Sequence, residues 1–220
     1  MKAARQPRSD WRYTFRVHFD DSPPTIGILA LQGDYAAHQR ILSALGARPK
    51  LVRAAADLDD LQGLIIPGGE STVMSRLCDR YDLSAPLKAK IEAGMPTLGT
   101  CAGLIFLAKT IEGGSPNFAQ TTLGILDVSV QRNAYGAQTD SFETDVWVPE
   151  LEESIRAVFI RAPRIESVGE GVEVLAQHEG APVVVRQGSI VALAFHPEIA
   201  GESRVHRLWL ADLLDAGSAP

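Results

Sequence analysis

The sequence is short of cysteine, of long apolar runs and of basic charge. Its 2 cysteines cannot build a disulfide framework, and a reducing cytoplasm is the simplest setting for them. No apolar run reaches the length of a bilayer-spanning helix. A formal net charge of −6 argues against a general nucleic-acid or anionic-membrane binder, so neither partner is expected. There is no internal repeat and no low-complexity tract. The opening segment "MKAARQPRSDWRYTFRVHFDDSPP" starts basic but has no continuous apolar core, so it does not read as a secretory signal. Residues 1–24 are expected to be a poorly ordered appendage. What is present is a chain of 220 residues, 45% hydrophobic and 22% charged, enough for one well-filled domain. That domain is expected over 25–216, with 217–220 as a tail.

From Thr25 onward, apolar runs of strand length alternate with helical stretches. "TIGILAL" suits a strand buried on both faces, and "YAAHQRILSALG" is a helix closed by Gly46. "RPKLVRA" and "LQGLIIPGG" follow as strands, then "STVMSRLCDRYDL" and "APLKAKIEAG" as helices. "MPTLGT" is a fourth strand and "CAGLIFLAKTI" the helix after it. This alternation predicts an open, mostly parallel α/β sheet with helices on both faces. After the loop "EGGSPNFAQTT" the pattern turns β-rich: "GILDVSVQRN", "DSFETDVWV", "SIRAVFIRAP", a hairpin from "VEVLAQ" to "PVVVRQ", and "GSIVALAFHPE". That half is expected to extend the sheet or to form a small companion sheet. The amphipathic "SRVHRLWLADLLDA" closes the chain.

"GTCAG" puts Cys101 between glycines at a strand-to-helix turn. The form matches a nucleophile elbow, where neighbours must lack bulky Cβ groups. The following helix N-terminus favours a thiolate, and the Ala102 N–H is a natural oxyanion donor. The pentapeptide alone fits a structural cysteine equally well. Cys78 serves as the contrast: it lies four residues from Met74 on one helical face, with no flanking glycine, and reads as core.

A nucleophilic thiol needs a base, and the base needs an orienter. Among the 5 histidines, His18 lies in the appendage and His178 in a hairpin turn. His38 and His206 stand among polar helical neighbours and read as surface or packing residues. His196 ends "SIVALAF" and precedes Pro197 and Glu198. In an extended segment residues two apart share a side, so Glu198 can hold the ring through Nδ1–H. Alone, "HPE" is equally a strand-end turn; with the elbow it favours a Cys101–His196–Glu198 triad. "IIPGGES" ends another buried strand in adjacent glycines, which can present N–H groups to an anion. Gly69 is thus a candidate second oxyanion donor, though an ordinary turn with Ser71 as helix N-cap fits the segment too.

With these motifs in place, the chain resembles the class I (triad) glutamine amidotransferases of flavodoxin-like fold. Within them it resembles the glutaminase subunits of pyridoxal phosphate synthase. "GTCAGL" and "FHPE" carry the general likeness; "LALQGD", "LIIPGGESTVMSRL", "VQRNAYGAQTDSFE" and "VFIRAP" carry the narrower one. The resemblance implies hydrolysis of L-glutamine through a thioester on Cys101, with His196 as base and acid and Glu198 orienting it. It implies that Gly69, Glu70, Ser71, Arg132, Ile160 and Arg161 line the glutamine pocket and that Gln32 helps shape the oxyanion hole. It also implies a barrel-shaped synthase partner in a hetero-oligomer, needed to order the Gly68–Gly69 peptide, and no cofactor or metal. Where these proteins often read "GRQ", this chain has Gly136-Ala137-Gln138. The alternatives are a triad glutaminase serving histidine or purine synthesis, a cysteine peptidase on a similar scaffold, and a binding module with an oxidisable Cys101.

Overall fold

The computed structural model describes residues 22–112, 120–132 and 141–217. The motif segment 133–140, with Ala137, and residues 1–21 lie outside the described residues. The first strand, β1 (Thr25–Leu29), begins where the apolar run begins and is buried on both faces. It is followed by α1 (Tyr35–Ala44), β2 (Arg48–Val52), β3 (Gly63–Ile66), α2 (Ser71–Arg80), α3 (Ser84–Glu92), β4 (Thr97–Thr100) and α4 (Ala102–Leu107). The β-rich half holds β5 (Ala108–Glu112), β6 (Leu126–Gln131), β7 (Phe142–Val148), β8 (Glu153–Phe159), β9 (Arg164–Val168), β10 (Glu173–His178), β11 (Ala181–Gln187) and β12 (Ile190–Leu193). The chain closes with α5 (Arg204–Gly217).

A 7-stranded sheet in the order β10-β11-β12-β4-β3-β1-β2 forms the centre. From β12 to β2 all neighbours are parallel; beyond β12, β11 pairs antiparallel to it and β10 antiparallel to β11. The β-rich half therefore does both things expected of it. It extends the main sheet, and it builds a 3-stranded sheet (β5-β6-β9) and a 2-stranded one (β7-β8). The strands β3, β4 and β12 are fully buried, which explains their continuous apolar runs: with helices over both faces, no position faces water.

Local signals set the element ends. Asp34 caps α1 by accepting from the Ala37 N–H at 3.2 Å, satisfying one of the donors a helix start leaves free. Gly46, at φ 91°, stops the same helix in the left-handed region. Two boundaries and one strand differ from the sequence expectation. The helix expected over 101–111 ends at Leu107, and 108–112 becomes β5, paired parallel to β6. Thr110 and Ile111 are β-branched, and the pairing to β6 overrides the helical pattern. The strand expected over 188–198 is regular only to Leu193. The strand β9 has no signal in the sequence pattern, because its exposed positions leave too weak an alternation.

The core is continuous from α1 across the sheet to β8 and α5. Ile65 is fully buried in β3, between β1 and β4. Ile65→Ala is expected to cost about 2–5 kcal/mol, read as a lower midpoint in urea unfolding at unchanged slope; an unchanged midpoint would contradict this packing.

Candidate functional site

Cys101 stands between β4 and α4 with φ 46° and ψ −99°, a region non-glycine residues rarely occupy. Its own amide donates to the Leu193 carbonyl at 2.8 Å, so the end of β12 clasps the turn. The flanking glycines are explained by close approach. A Cβ on Gly103 would lie 2.1 Å from the Ile66 carbonyl oxygen, and one on Gly99 would lie 3.1 Å from the Gly103 backbone. The elbow is wedged against β3, and any side chain there would push it out. Because α4 has 6 residues, its dipole at Cys101 is smaller than a long helix would supply. The Ala102 N–H, in its first turn, has no intrahelical partner.

His196 lies just past β12. Its amide donates to the Val158 carbonyl at 2.9 Å, which fixes the backbone against β8. Its Nδ1 meets Glu198 Oε1 at 2.7 Å. The two side chains meet because a turn carries Glu198 back: the Glu202 N–H donates to the Pro197 carbonyl at 2.9 Å. The expected proximity is thus reached by a turn rather than by extended backbone. Burial alone would lower the His196 pKa, but its hydrogen bonds to Cys101 and Glu198, and the negative charges of both, raise it to about 10. The imidazole is held as a cation between sulfur and carboxylate.

These residues open onto a cleft of about 330 Å³, also lined by Gln32, Gly69, Glu70, Ser71, Arg132, Ile160 and Arg161. Every pocket residue expected from the sequence is therefore at one place. Glu198 and Ala102, both buried, stand behind the lining. Gly68 and Gly69 form one wall: a Cβ on Gly68 would lie 2.1 Å from the His196 ring. The Gly68 carbonyl accepts from the Asp34 N–H at 3.3 Å, and Gln32 Oε1 accepts from the Glu70 N–H at 3.0 Å. Glu70, rather than Ser71, caps α2, accepting from the Thr72 and Val73 amides at 3.0 and 2.8 Å. Burial works against its charge, yet those bonds and Arg132 hold its carboxyl below the usual range. Arg132 donates to Thr72 Oγ1 at 3.0 Å and reaches Glu70 at 3.4 Å. The cleft thus holds a guanidinium and a carboxylate side by side. Among the described residues, no group of three metal-ligating side chains is placed to hold an ion.

Sequence reasoning missed several participants. Asp34, Ile105 and Ile199 line the cleft; Asp34 ends the LALQGD motif and the two isoleucines each follow one, with no pattern that marks them as cleft residues. Gln120 accepts from Ser71 Oγ at 3.0 Å, a contact between distant segments. Of the two readings open for His38 and His206, packing holds: both are fully buried, and their rings meet between α1 and α5. Cys78 is core as expected, and burial pushes its thiol up to about 12.

The fold is that of class I glutamine amidotransferases: a solved structure described as a glutamine amidotransferase matches with a TM-score of 0.79 at 46% identity, covering 86% of this chain and 97% of that one. PurLQS from Thermotoga maritima, 19% identical, shares the architecture with a TM-score of 0.65 over 87% of this chain and 99% of that one. The profile of the SNO glutamine amidotransferase family matches residues 28–215, and the chain belongs to that family. It is similar to the pyridoxal 5'-phosphate synthase subunit PdxT of Frankia alni, 51% identical over 198 residues, 90% of this chain and 98% of that protein. The PdxT subunit of a Nocardioides species is 52% identical over 192 residues, 85% and 94% of the two chains.

Two outcomes follow from the electrostatics. Iodoacetamide at neutral pH is expected to label Cys101 and to leave Cys78, whose thiol stays protonated; equal labelling of both would contradict it. Buried His206 titrates at about 4, and burial followed by the charges of His206 and His196 lowers His38. Above the ordinary value of 6.5 neither ring binds a proton, folded or unfolded. Below it the unfolded chain gains protons that the folded one refuses, so stability falls as pH drops from 6.5 toward about 4. His196 has the opposite sign, but its window runs from 6.5 up to about 10. Urea midpoints are therefore expected to be lower at about pH 5 than at about pH 7, before most carboxylates titrate; equal midpoints would contradict the buried neutral pair.

Proposed function

We propose that this chain hydrolyses L-glutamine to L-glutamate and ammonia at Cys101 and passes the ammonia to a synthase subunit that makes pyridoxal 5'-phosphate. The observation that carries the reading is the convergence of Cys101 and His196, the latter backed by Glu198, on one cleft that also presents Arg132 and Glu70. An amino acid substrate needs its α-carboxylate and α-ammonium matched, and a guanidinium beside a carboxylate supplies both partners. Relatives at about half identity bear the name of the pyridoxal 5'-phosphate synthase subunit. This favours that acceptor over a histidine- or purine-pathway partner, and over a peptidase. The domain is taken as 25–216, and both cysteines, being free, suit the reducing cytoplasm.

The chemistry runs in two halves. The Cys101 sulfur bonds to the amide carbon of the glutamine side chain, and the carbonyl oxygen becomes an oxyanion facing the Ala102 and Gly69 amides. One such donor is worth about 100- to 1000-fold in rate. The His196 imidazolium gives its proton to the amide nitrogen, the C–N bond breaks and ammonia leaves. Now neutral, His196 takes a proton from water as the water attacks the thioester, the C–S bond breaks, and glutamate is released. Glu198 holds the ring so that Nε2 faces the reacting atoms throughout.

Dependence on the partner centres on the Gly68–Gly69 peptide. Gly69 has φ 148°, and the Gly68 carbonyl is engaged by Asp34, so reorienting the Gly69 amide means breaking one weak hydrogen bond. The barrel-shaped synthase orders this peptide for catalysis. Glutamine hydrolysis, measured as ammonia release, is expected to be faster in the presence of the synthase than for the chain alone. Cys101→Ala is expected to abolish it, and His196→Asn to lower kcat by about 100- to 10,000-fold. Ammonia release by Cys101→Ala at the wild-type rate, or equal rates with and without synthase, would defeat the respective parts of the proposal.

A further inference from the structure

Behind the triad lies a buried pair of histidines that the proposed chemistry does not use. His38, on α1, and His206, on α5, are both fully buried. His38 Nδ1 and His206 Nε2 are 2.9 Å apart. On the other side of the His38 ring, Nε2 lies 3.3 Å from Thr100 Oγ1 and 3.6 Å from Glu198 Oε1. That same Glu198 oxygen meets His196 Nδ1 at 2.7 Å. The line His206, His38, Glu198, His196, Cys101 therefore runs from α5 through α1 to the sulfur.

Proton positions along this line follow from satisfiability. His206 Nδ1 is buried with no hydrogen-bond partner of good geometry among the described residues; the backbone and the charge of Glu202 both raise the ring's proton affinity against burial. A buried N–H without a partner is costlier than a bare lone pair, so the His206 proton sits on Nε2 and points at His38 Nδ1. His38 Nδ1 is then the acceptor, and its own proton must be on Nε2. There it faces Thr100 Oγ1 and the Glu198 carboxylate. A buried carboxylate needs donors to stay charged, and Glu198 Oε2 has none among the described residues. The groups facing His38 are then His206, Thr100, Glu198 and, one ring further, His196.

We propose that His38 is a positioning residue: its Nε2–H, held in that tautomer by His206, fixes the Glu198 carboxylate where His196 Nδ1 needs it. This rests on the triad reading above. At 3.6 Å the contact with Glu198 is longer than a hydrogen bond, so the Nε2–H acts on the carboxylate as a short-range dipole, in the way that outer groups orient a catalytic one. It also accounts for the burial of two imidazoles whose neutral state costs stability in acid.

The test uses the full chain with its synthase subunit and compares His38→Leu, His38→Gln and each combined with Glu198→Gln. Leucine removes the donor, and the glutamine amide restores one near the Nε2 position. His38→Leu is expected to lower kcat about tenfold or more with KM within about twofold. His38→Gln should recover most of that loss, and His38→Leu should cost nothing further in the Glu198→Gln background. Nitrogen NMR of the histidine rings of the full chain gives a second readout that needs no activity and no variant: His38 is expected as the Nε2–H tautomer. The His196 titration should move to lower pH in His38→Leu. Finding the His38 proton on Nδ1, equal losses in kcat for leucine and glutamine, or an additive loss in the double variant would overturn the proposal. Absence of glutamine hydrolysis by the wild-type complex would instead defeat the glutaminase reading, with the tautomer measurement still deciding the role of His38.

Discussion

The hydrogen bond from the Cys101 amide to the Leu193 carbonyl, 2.8 Å long, joins the two parts of the chain on which the chemistry depends. It closes the β4–β12 pairing at the point where both strands run out. On one side it holds an elbow whose backbone is strained at φ 46°; on the other it sets the starting point from which the chain reaches His196. Strain of this kind costs on the order of 1–3 kcal/mol and persists only where the surroundings enforce it. The surroundings here are the Ile66 carbonyl against Gly103 and the buried strands on both sides.

The cleft is built by the same logic of strand ends. In open α/β sheets the carboxyl ends of the strands meet at one rim, and loops there carry the chemistry. The turn after β3 gives the glycine wall, the turn after β4 gives Cys101, and the chain after β12 gives His196. The β-rich half adds what the parallel sheet lacks: Arg132 follows β6, and Ile160 and Arg161 follow β8. Arg161 stands at φ 43°, a second non-glycine residue held in an uncommon conformation beside the cleft.

Much of this was legible in the sequence because the signals were local. The buried strands read as apolar runs, and "GTCAG" and "HPE" each place a reactive atom within a few residues of its helper. Other features depend on contacts no local window contains. His38 and His206 stand among polar neighbours in their helices, yet they meet 168 residues apart in the chain. Their burial goes with the meeting of the two rings across the fold, which the periodicity of neither helix shows. The early end of α4 is similar: β6 offers 108–112 a pairing partner, and that decides the conformation over the helical pattern. The cap on α2 passed from Ser71 to Glu70 because a carboxylate reached two amides at once.

The central claim is covalent: glutamine's side-chain carbonyl is carried on the sulfur of Cys101. Mass spectrometry of the acid-quenched complex, taken during turnover of glutamine, tests it most directly. The account predicts a glutamyl adduct on the peptide containing Cys101 and none on the peptide containing Cys78. Steady glutamine hydrolysis with an adduct on Cys78 alone, or undiminished in a chain whose Cys101 is irreversibly blocked, would contradict it.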